Sequence, residues 1–144
     1  MLRSSLRLVI PWTTPCYKAR TTFSRLAAMS TNTPDTAHYQ LQFYVPKPDT
    51  NKVLAAVHAK GAGRYPGGLY GECAFIYPGT GTFRPLENAN PAIGKVGEAE
   101  QVEENKVEVL CVGRECMLSA VKALKEAHPY EQVAYFVFKA EVVE

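Results

Sequence analysis

The sequence predicts an α+β domain: a ferredoxin-like, split βαβ sandwich with an extra hairpin. Three observations predict it. A strand of period two opens the folded part. A helix with an apolar stripe precedes the last strand. Between them, glycine-rich turns separate short β-rich runs. The chain has 144 residues, 47% apolar and 21% charged, the mix of a globular protein with one domain. That mix excludes collagen, coiled coil and a wholly disordered chain. Apolar runs are only a few residues long, which excludes a membrane-crossing helix. A net charge of +2 does not predict nucleic acid as a partner. Four cysteines in this length make no disulfide framework.

The average charge hides an asymmetry. Residues 1–34 contain Arg3, Arg7, Lys18, Arg20 and Arg25 and no acid; the first acid is Asp35. Residues 1–37 hold 11 of the 15 Ser and Thr. From His38 onward there are 11 basic and 13 acidic residues. A basic, hydroxyl-rich, acid-free leader predicts a mitochondrial transit peptide. Leu2 to Ile10 makes a short basic amphipathic helix that Pro11 stops. A plain disordered tail is the alternative. Met29 offers a second start and a cytosolic form. The expected division is 1–37 extension and 38–144 domain. Either compartment keeps thiols mostly reduced.

Tyr39, Leu41, Phe43 and Val45 alternate with polar neighbours and predict the first strand, ended by Pro46 and Pro48. Asp49 or Thr50 is the expected cap of a helix, since each offers an oxygen to free N–H groups. Val53, Leu54 and Val57 form its stripe, with Lys52, His58 and Lys60 outside. Gly61 stops it. Cys73 to Tyr77 reads as a short strand closed by Pro78-Gly79, with Thr82 to Arg84 beyond a turn at Gly79–Gly81. Lys95 to Glu103 reads as a polar strand. Glu104-Asn105 turns the chain, and Val107 to Val112 returns. Arg114 to Ala127 is the best helix, with Met117, Leu118, Val121 and Leu124 at helical spacing. Pro129 ends it. Val133 to Ala140 is apolar on both faces, which predicts a central strand or an outer face covered by another subunit.

Three motifs concentrate chemistry. The run Gly61 to Gly68 fails as a dinucleotide fingerprint, because Pro66 stands where Gly is needed and the run follows a helix. Gly61, Gly63 and Arg64 remain an anion candidate; a flexible connection is the structural alternative. Thr80, Thr82 and Arg84 place hydroxyls and a guanidinium on a glycine turn. His128, Tyr130 and Glu131 join helix to strand. A histidine at a helix C-terminus is favoured charged, and Glu131 would add to that. It is either an acid/base or metal ligand, or a cap with Tyr130 packed beneath. The histidines with Cys73, Cys111 and Cys116 show no metal-ligand spacing. No Ser-His-Asp or Cys-His set assembles.

Gly79-Thr80-Gly81-Thr82-Phe83-Arg84-Pro85, Ala89-Asn90-Pro91, Gly94-Lys95-Val96-Gly97 and Glu126 to Glu131 carry a resemblance. In this order they are similar to the CutA/PII-like domain inserted in many bacterial members of the Nif-three family, the "GTP cyclohydrolase type 2" homologues. Gly61 to Arg64 matches as well, and the resemblance spans 38–144. It departs at Tyr65 to Tyr70, where Pro66 and an extra Gly pair lengthen the loop. It implies the fold, trimerisation as in CutA-like proteins, and a cleft lined by Gly61, Gly63, Arg64, Thr80, Thr82, Arg84, His128, Tyr130 and Glu131. In the full-length family a two-metal site has its ligands in the halves flanking the insert, so a stand-alone insert is not expected to inherit hydrolase activity. The expected function is a non-enzymatic module that binds a small anion or a protein partner. The alternatives are a metal-assisted hydrolase of a nucleotide or phosphate substrate using His128 and Glu131, or a metal-ion binding protein. A divalent metal is the one cofactor candidate.

Overall fold

The computed structural model describes residues 35–143. The basic leader, with its targeting signal and Met29, lies outside the described residues. The first strand, β1 (His38–Pro46), is followed by a single 3-10 turn and by helix α1 (Thr50–His58). Two long strands come next, β2 (Ala74–Phe83) and β3 (Glu100–Val112), then helix α2 (Arg114–Ala127) and strand β4 (Tyr135–Ala140). The sheet is antiparallel, in the order β2-β3-β1-β4.

The period of two decides what is buried. Leu41, Phe43 and Val45 of β1 share a face with Val107, Val109 and Cys111 of β3. Both helices cover that face, α1 through Val53 and Val57, α2 through Met117, Ala120 and Leu124. Burying each large side chain stabilises the fold by roughly 1.5–3 kcal/mol. The stripe on α2 differs from the expected one. Its buried residues are Met117, Ala120, Ala123 and Leu124, while Leu118 is 53% exposed. Small alanines let the helix approach its neighbours, and Leu118 falls outside the contact.

The strand boundaries are also corrected. The expected turn at Gly79–Gly81 does not form. β2 runs straight through Pro78, which pairs with Asn105. An edge strand tolerates proline because one of its two sides has no ladder to complete. Glu104 and Asn105 do not turn the chain either; they lie inside β3. β1 leaves the sheet at Pro46, opposite Glu104. Beyond that point, Thr80–Phe83 and Glu100–Glu103 pair only with each other. The extra hairpin is thus the far end of β2 and β3. β4 is an edge strand, so the central-strand alternative for it falls. Phe136 and Phe138 stand exposed on the face away from the helices.

Neither expected cap works as such. α1 begins without a side-chain cap. Thr50 is buried instead; its hydroxyl donates to Pro46 O at 3.3 Å and accepts from Asn105 Nδ2 at 3.0 Å. That clamp ties the helix start to β3. α2 is capped from a distance. The Asp35 carboxylate accepts from the backbone N–H of Arg114 at 2.6 Å and of Ala37 at 3.0 Å. Gly113 N donates to Ala37 O at 2.8 Å. These contacts tie residues 35–37, which the sequence assigns to the extension, to the domain.

Candidate functional site

The strands bring two of the three motifs together. Tyr130 packs against Phe83, ring centroids 5.9 Å apart, and against His128 at 5.1 Å. Glu131 Oε1 accepts from Asn90 N at 3.1 Å, joining the 84–99 loop to the turn after α2. So the His-Pro-Tyr-Glu turn and the end of β2 form one corner.

His128 is not in the charged form that its place at the helix end favours. It is buried, 8% exposed. Its Nε2 lies 2.9 Å from Tyr44 O, and Tyr130 N donates to its Nδ1 at 3.1 Å. A carbonyl demands a donor and an N–H demands an acceptor, so the ring is neutral with the proton on Nε2. Burial lowers its pKa, against upward pulls from the Tyr44 carbonyl, Glu104 and Asp49. Burial outweighs the helix end. Both nitrogens are occupied, and neither is open to a metal or a substrate proton. Glu131 gives its carboxylate to Asn90 rather than to His128.

Beside them, Glu104 lies over Gly81: a methyl group there would sit 2.2 Å from Glu104 Oε2. The Tyr130 hydroxyl is buried without a well-formed hydrogen bond, although the Glu104 carboxylate is its neighbour. Burial first, and then Glu104, push its pKa up to about 12. The hydroxyl stays protonated and is no general base.

The remaining residues of this end divide. Arg84 Nη1 donates to Gly97 O at 2.5 Å, and Gly97 N to Pro85 O at 2.8 Å. Arg84 thus closes its own loop. An open cleft of about 490 Å³ lies beside it, lined by Thr82, Phe83, Arg84, Ala99, Glu100 and Gln101. Thr80 and Thr82 alternate with Gly81 and Phe83, so they point to the opposite face of β2 from Phe83, which meets Tyr130.

Gly61, Gly63 and Arg64 are not part of this corner. Gly63 N donates to Leu110 O at 2.7 Å, near the other end of β3. The nine-residue cleft expected from the sequence is therefore two separate places on one chain. His58, expected outside, lines the second place together with Arg64 and Glu72. Cys111 is buried, and burial with Cys116 beside it pushes its thiol up to about 12. Among the described residues no three His, Cys, Asp or Glu side chains stand where they could hold a metal. The divalent metal does not fit these residues. No described helix is long and apolar enough to cross a membrane.

Asp35, His58, Glu72, Glu104 and Asn105 escape the sequence motifs. Asp35 alone carries a usable signal: it is the first acid, just ahead of an alternating strand.

No family model matches the chain. It is 40% identical over 102 residues to a GTP cyclohydrolase 1 type 2 homolog of Bacillus subtilis, covering 71% of this chain and 26% of that protein. A homolog of the same name from Mycobacterium tuberculosis is 41% identical over 95 residues, covering 66% and 24%. The chain thus spans about a quarter of the length of the curated relatives it matches. Among solved structures, a Bacillus cereus protein related to NIF3 superposes with a TM-score of 0.62 at 33% identity, over 74% of this chain and 26% of that one. CutA from Archaeoglobus fulgidus superposes with a TM-score of 0.53 at 16% identity, over 74% and 87%, which shows the fold. The likeness is to one segment of these relatives, and this chain has the CutA-like fold.

Proposed function

We propose that this chain, alike in sequence to the Nif-three segment and in fold to CutA, is a non-catalytic binding module that works as a ring of identical subunits. One observation carries the proposal: two separate aromatic strips on the sheet face that the helices leave bare. Phe75 and Tyr77 form one on β2, ring centroids 4.6 Å apart and 61% and 43% exposed. Phe136 and Phe138 form the other on β4, 6.3 Å apart. Between them runs a self-satisfied polar ladder, in which Gln40 donates to Glu108 at 2.9 Å and Lys106 pairs with Glu108 at 2.7 Å. Exposed apolar strips of this kind mark association surfaces. Because the strips lie on opposite edges, the β2 strip of one copy meets the β4 strip of the next. A head-to-tail contact closes into a ring when the rotation allows, here a trimer.

The corner at His128 supports the non-catalytic half of the proposal, since its imidazole and carboxylate hold loops in place. The Arg84 guanidinium is taken up by Gly97 O, so the open cleft beside it would dock a partner protein rather than a small anion. The metal-assisted hydrolase and metal-buffer alternatives have no observation in their favour among the described residues.

Light scattering on the purified chain tests the ring. Three times the chain mass is expected, reduced to one in Phe136→Asp and in Phe75→Asp. Wild-type protein that stays monomeric at micromolar concentration removes the proposal. The leader is proposed as the mitochondrial signal, read by where a fusion of residues 1–37 to a fluorescent protein localises.

A further inference from the structure

A second cleft, also about 490 Å³, lies between α1 and the loop that follows it, lined by Asn51, Leu54, Ala55, His58, Arg64 and Glu72, with Ala59 at its rim. That volume suits a small molecule. The loop is a built wall. Gly63 N donates to Leu110 O at 2.7 Å, Cys73 N to Gly63 O at 2.9 Å, and Tyr65 N to Tyr70 O at 3.3 Å. Arg64 and Glu72 stand on the two legs of this hairpin, between the Gly63–Cys73 and Tyr65–Tyr70 bonds.

They carry opposite charges and share one cleft, yet neither forms an ion pair with any described residue. Glu72 also holds φ at +56°, left-handed backbone that a residue with a Cβ rarely adopts. Such strain collects at ligand clamps. His58, the last residue of α1, lines the same cleft, its Nε2 buried and without a partner. Burial lowers its pKa while Glu72 raises it, and burial is the stronger. The ring adds no charge near neutral pH.

The site is thus a cation and an anion facing the same space, with a short apolar floor of Leu54 and Ala55. A simple anion would meet Glu72 and a simple cation would meet Arg64. We propose that this cleft binds small zwitterions of the α-amino-acid class, carboxylate on Arg64 and ammonium on Glu72. The site goes beyond the binding module proposed above and does not depend on self-association; light scattering reads the ring and calorimetry reads the cleft.

Calorimetry on the full chain with alanine, serine and glutamine tests it, with acetate, methylamine and inorganic phosphate as single-charge controls. At least one amino acid is expected to saturate in the millimolar range or below, and the controls are not. Arg64→Gln and Glu72→Gln should each weaken binding about tenfold or more, the worth of one charge-assisted contact. Lys47→Gln, beside Glu103 at the other end of β3, should bind like wild type. Glu72→Gly accepts the left-handed backbone, so it should fold at least as well as wild type and still lose binding. The proposal is overturned if no amino acid saturates, if acetate or phosphate binds as tightly, or if Glu72→Gly and Arg64→Gln bind unchanged.

Discussion

The two ends of β3 treat polar side chains in opposite ways. At the Glu104 end most satisfy one another, Thr50 with Asn105, His128 with Tyr44 and Tyr130, Glu131 with Asn90, Arg84 with Gly97, and the Tyr130 hydroxyl is the exception. At the Leu110 end, Arg64 and Glu72 have no ion-pair partner among the described residues, and His58 Nε2 is sealed without a partner. Both ends carry glycine, arginine and histidine, so residue type does not tell them apart. Whether the charged side chains find partners does. A motif whose polar atoms meet each other fixes loops, and one whose charges stay unmet has affinity left for a ligand.

The sharpest test of this contrast is Gly63. Its φ is +78°, and an added Cβ would meet Cys73 O at 2.8 Å and Cys73 N at 2.9 Å, both backbone atoms that cannot swing aside. Gly63→Ala should cost roughly 2–4 kcal/mol in urea unfolding. Gly67 has a similar φ of +92° but open space around it, so Gly67→Ala should cost only about 1 kcal/mol. Equal effects would mean that the hairpin base is soft and that Arg64 and Glu72 are not held in place.

His128 tests the satisfied end. His128→Ala orphans the Tyr44 carbonyl and the Tyr130 N–H and should cost roughly 2–3 kcal/mol. The pH dependence has a definite sign. Folding lowers the pKa of His128, so the unfolded chain takes up the proton first as pH falls. Stability is full above about pH 6.5 and is lost as pH drops from there through the lowered folded value. His58 is lowered too and contributes in the same window. Thermal melts between about pH 5 and 7.5 should flatten in part in His128→Gln and further in the double variant with His58→Gln. An unchanged slope in the double variant would show that neither ring is held neutral.

Much of the fold is legible in the letters, for physical reasons. Alternation in Tyr39 to Val45 and the stripe in Arg114 to Ala127 record burial against a layer, and burial is what holds those elements. Pro78, Gly79 and Gly81 are legible as turn residues and mislead, because their local preference yields to a ladder that β3 supplies from more than 20 residues away. Glu104 and Asn105 mislead alike: a polar pair between strands looks like a turn until Thr50 and Gly81 are seen to receive them. The site suffers the same loss at longer range. His128, Tyr130 and Glu131 are recognisable as a group because they adjoin in sequence. Their exclusion from chemistry comes from Tyr44 and Asn90, dozens of residues away. Arg64 is legible as a free cation, whereas Glu72 becomes its counterpart only once the hairpin closes.

Gly81 gives a smaller effect that sharpens the Glu104 end. A methyl there overlaps the Glu104 carboxylate, the far end of a flexible side chain, which can rotate away. Gly81→Ala should therefore cost about 1 kcal/mol or less. Moving the carboxylate should also relax the Tyr130 hydroxyl, whose pKa Glu104 helps to raise. Ultraviolet titration of the phenols would show one group ionising earlier than in wild type. A cost several times larger would mean that Glu104 is pinned by contacts beyond Gly81.

The smallest expected effect decides where the satisfied network begins. Asp35 caps α2 through Arg114 N and braces the chain through Ala37 N, and these two bonds, Arg114 first, hold its carboxyl below the ordinary range. Its contribution is present above about pH 4 and is lost as pH falls through the lowered folded value. Asp35→Asn keeps the shape and removes the charge, so its melting temperature should fall by a few degrees at pH 7 and by less near pH 3. A truncation starting at residue 38 should melt lower than one starting at residue 35, since Gly113 N then also loses Ala37 O. Equal melting of the two truncations would place the edge of the fold at His38 and reduce the Asp35 contacts to an ornament of the surface.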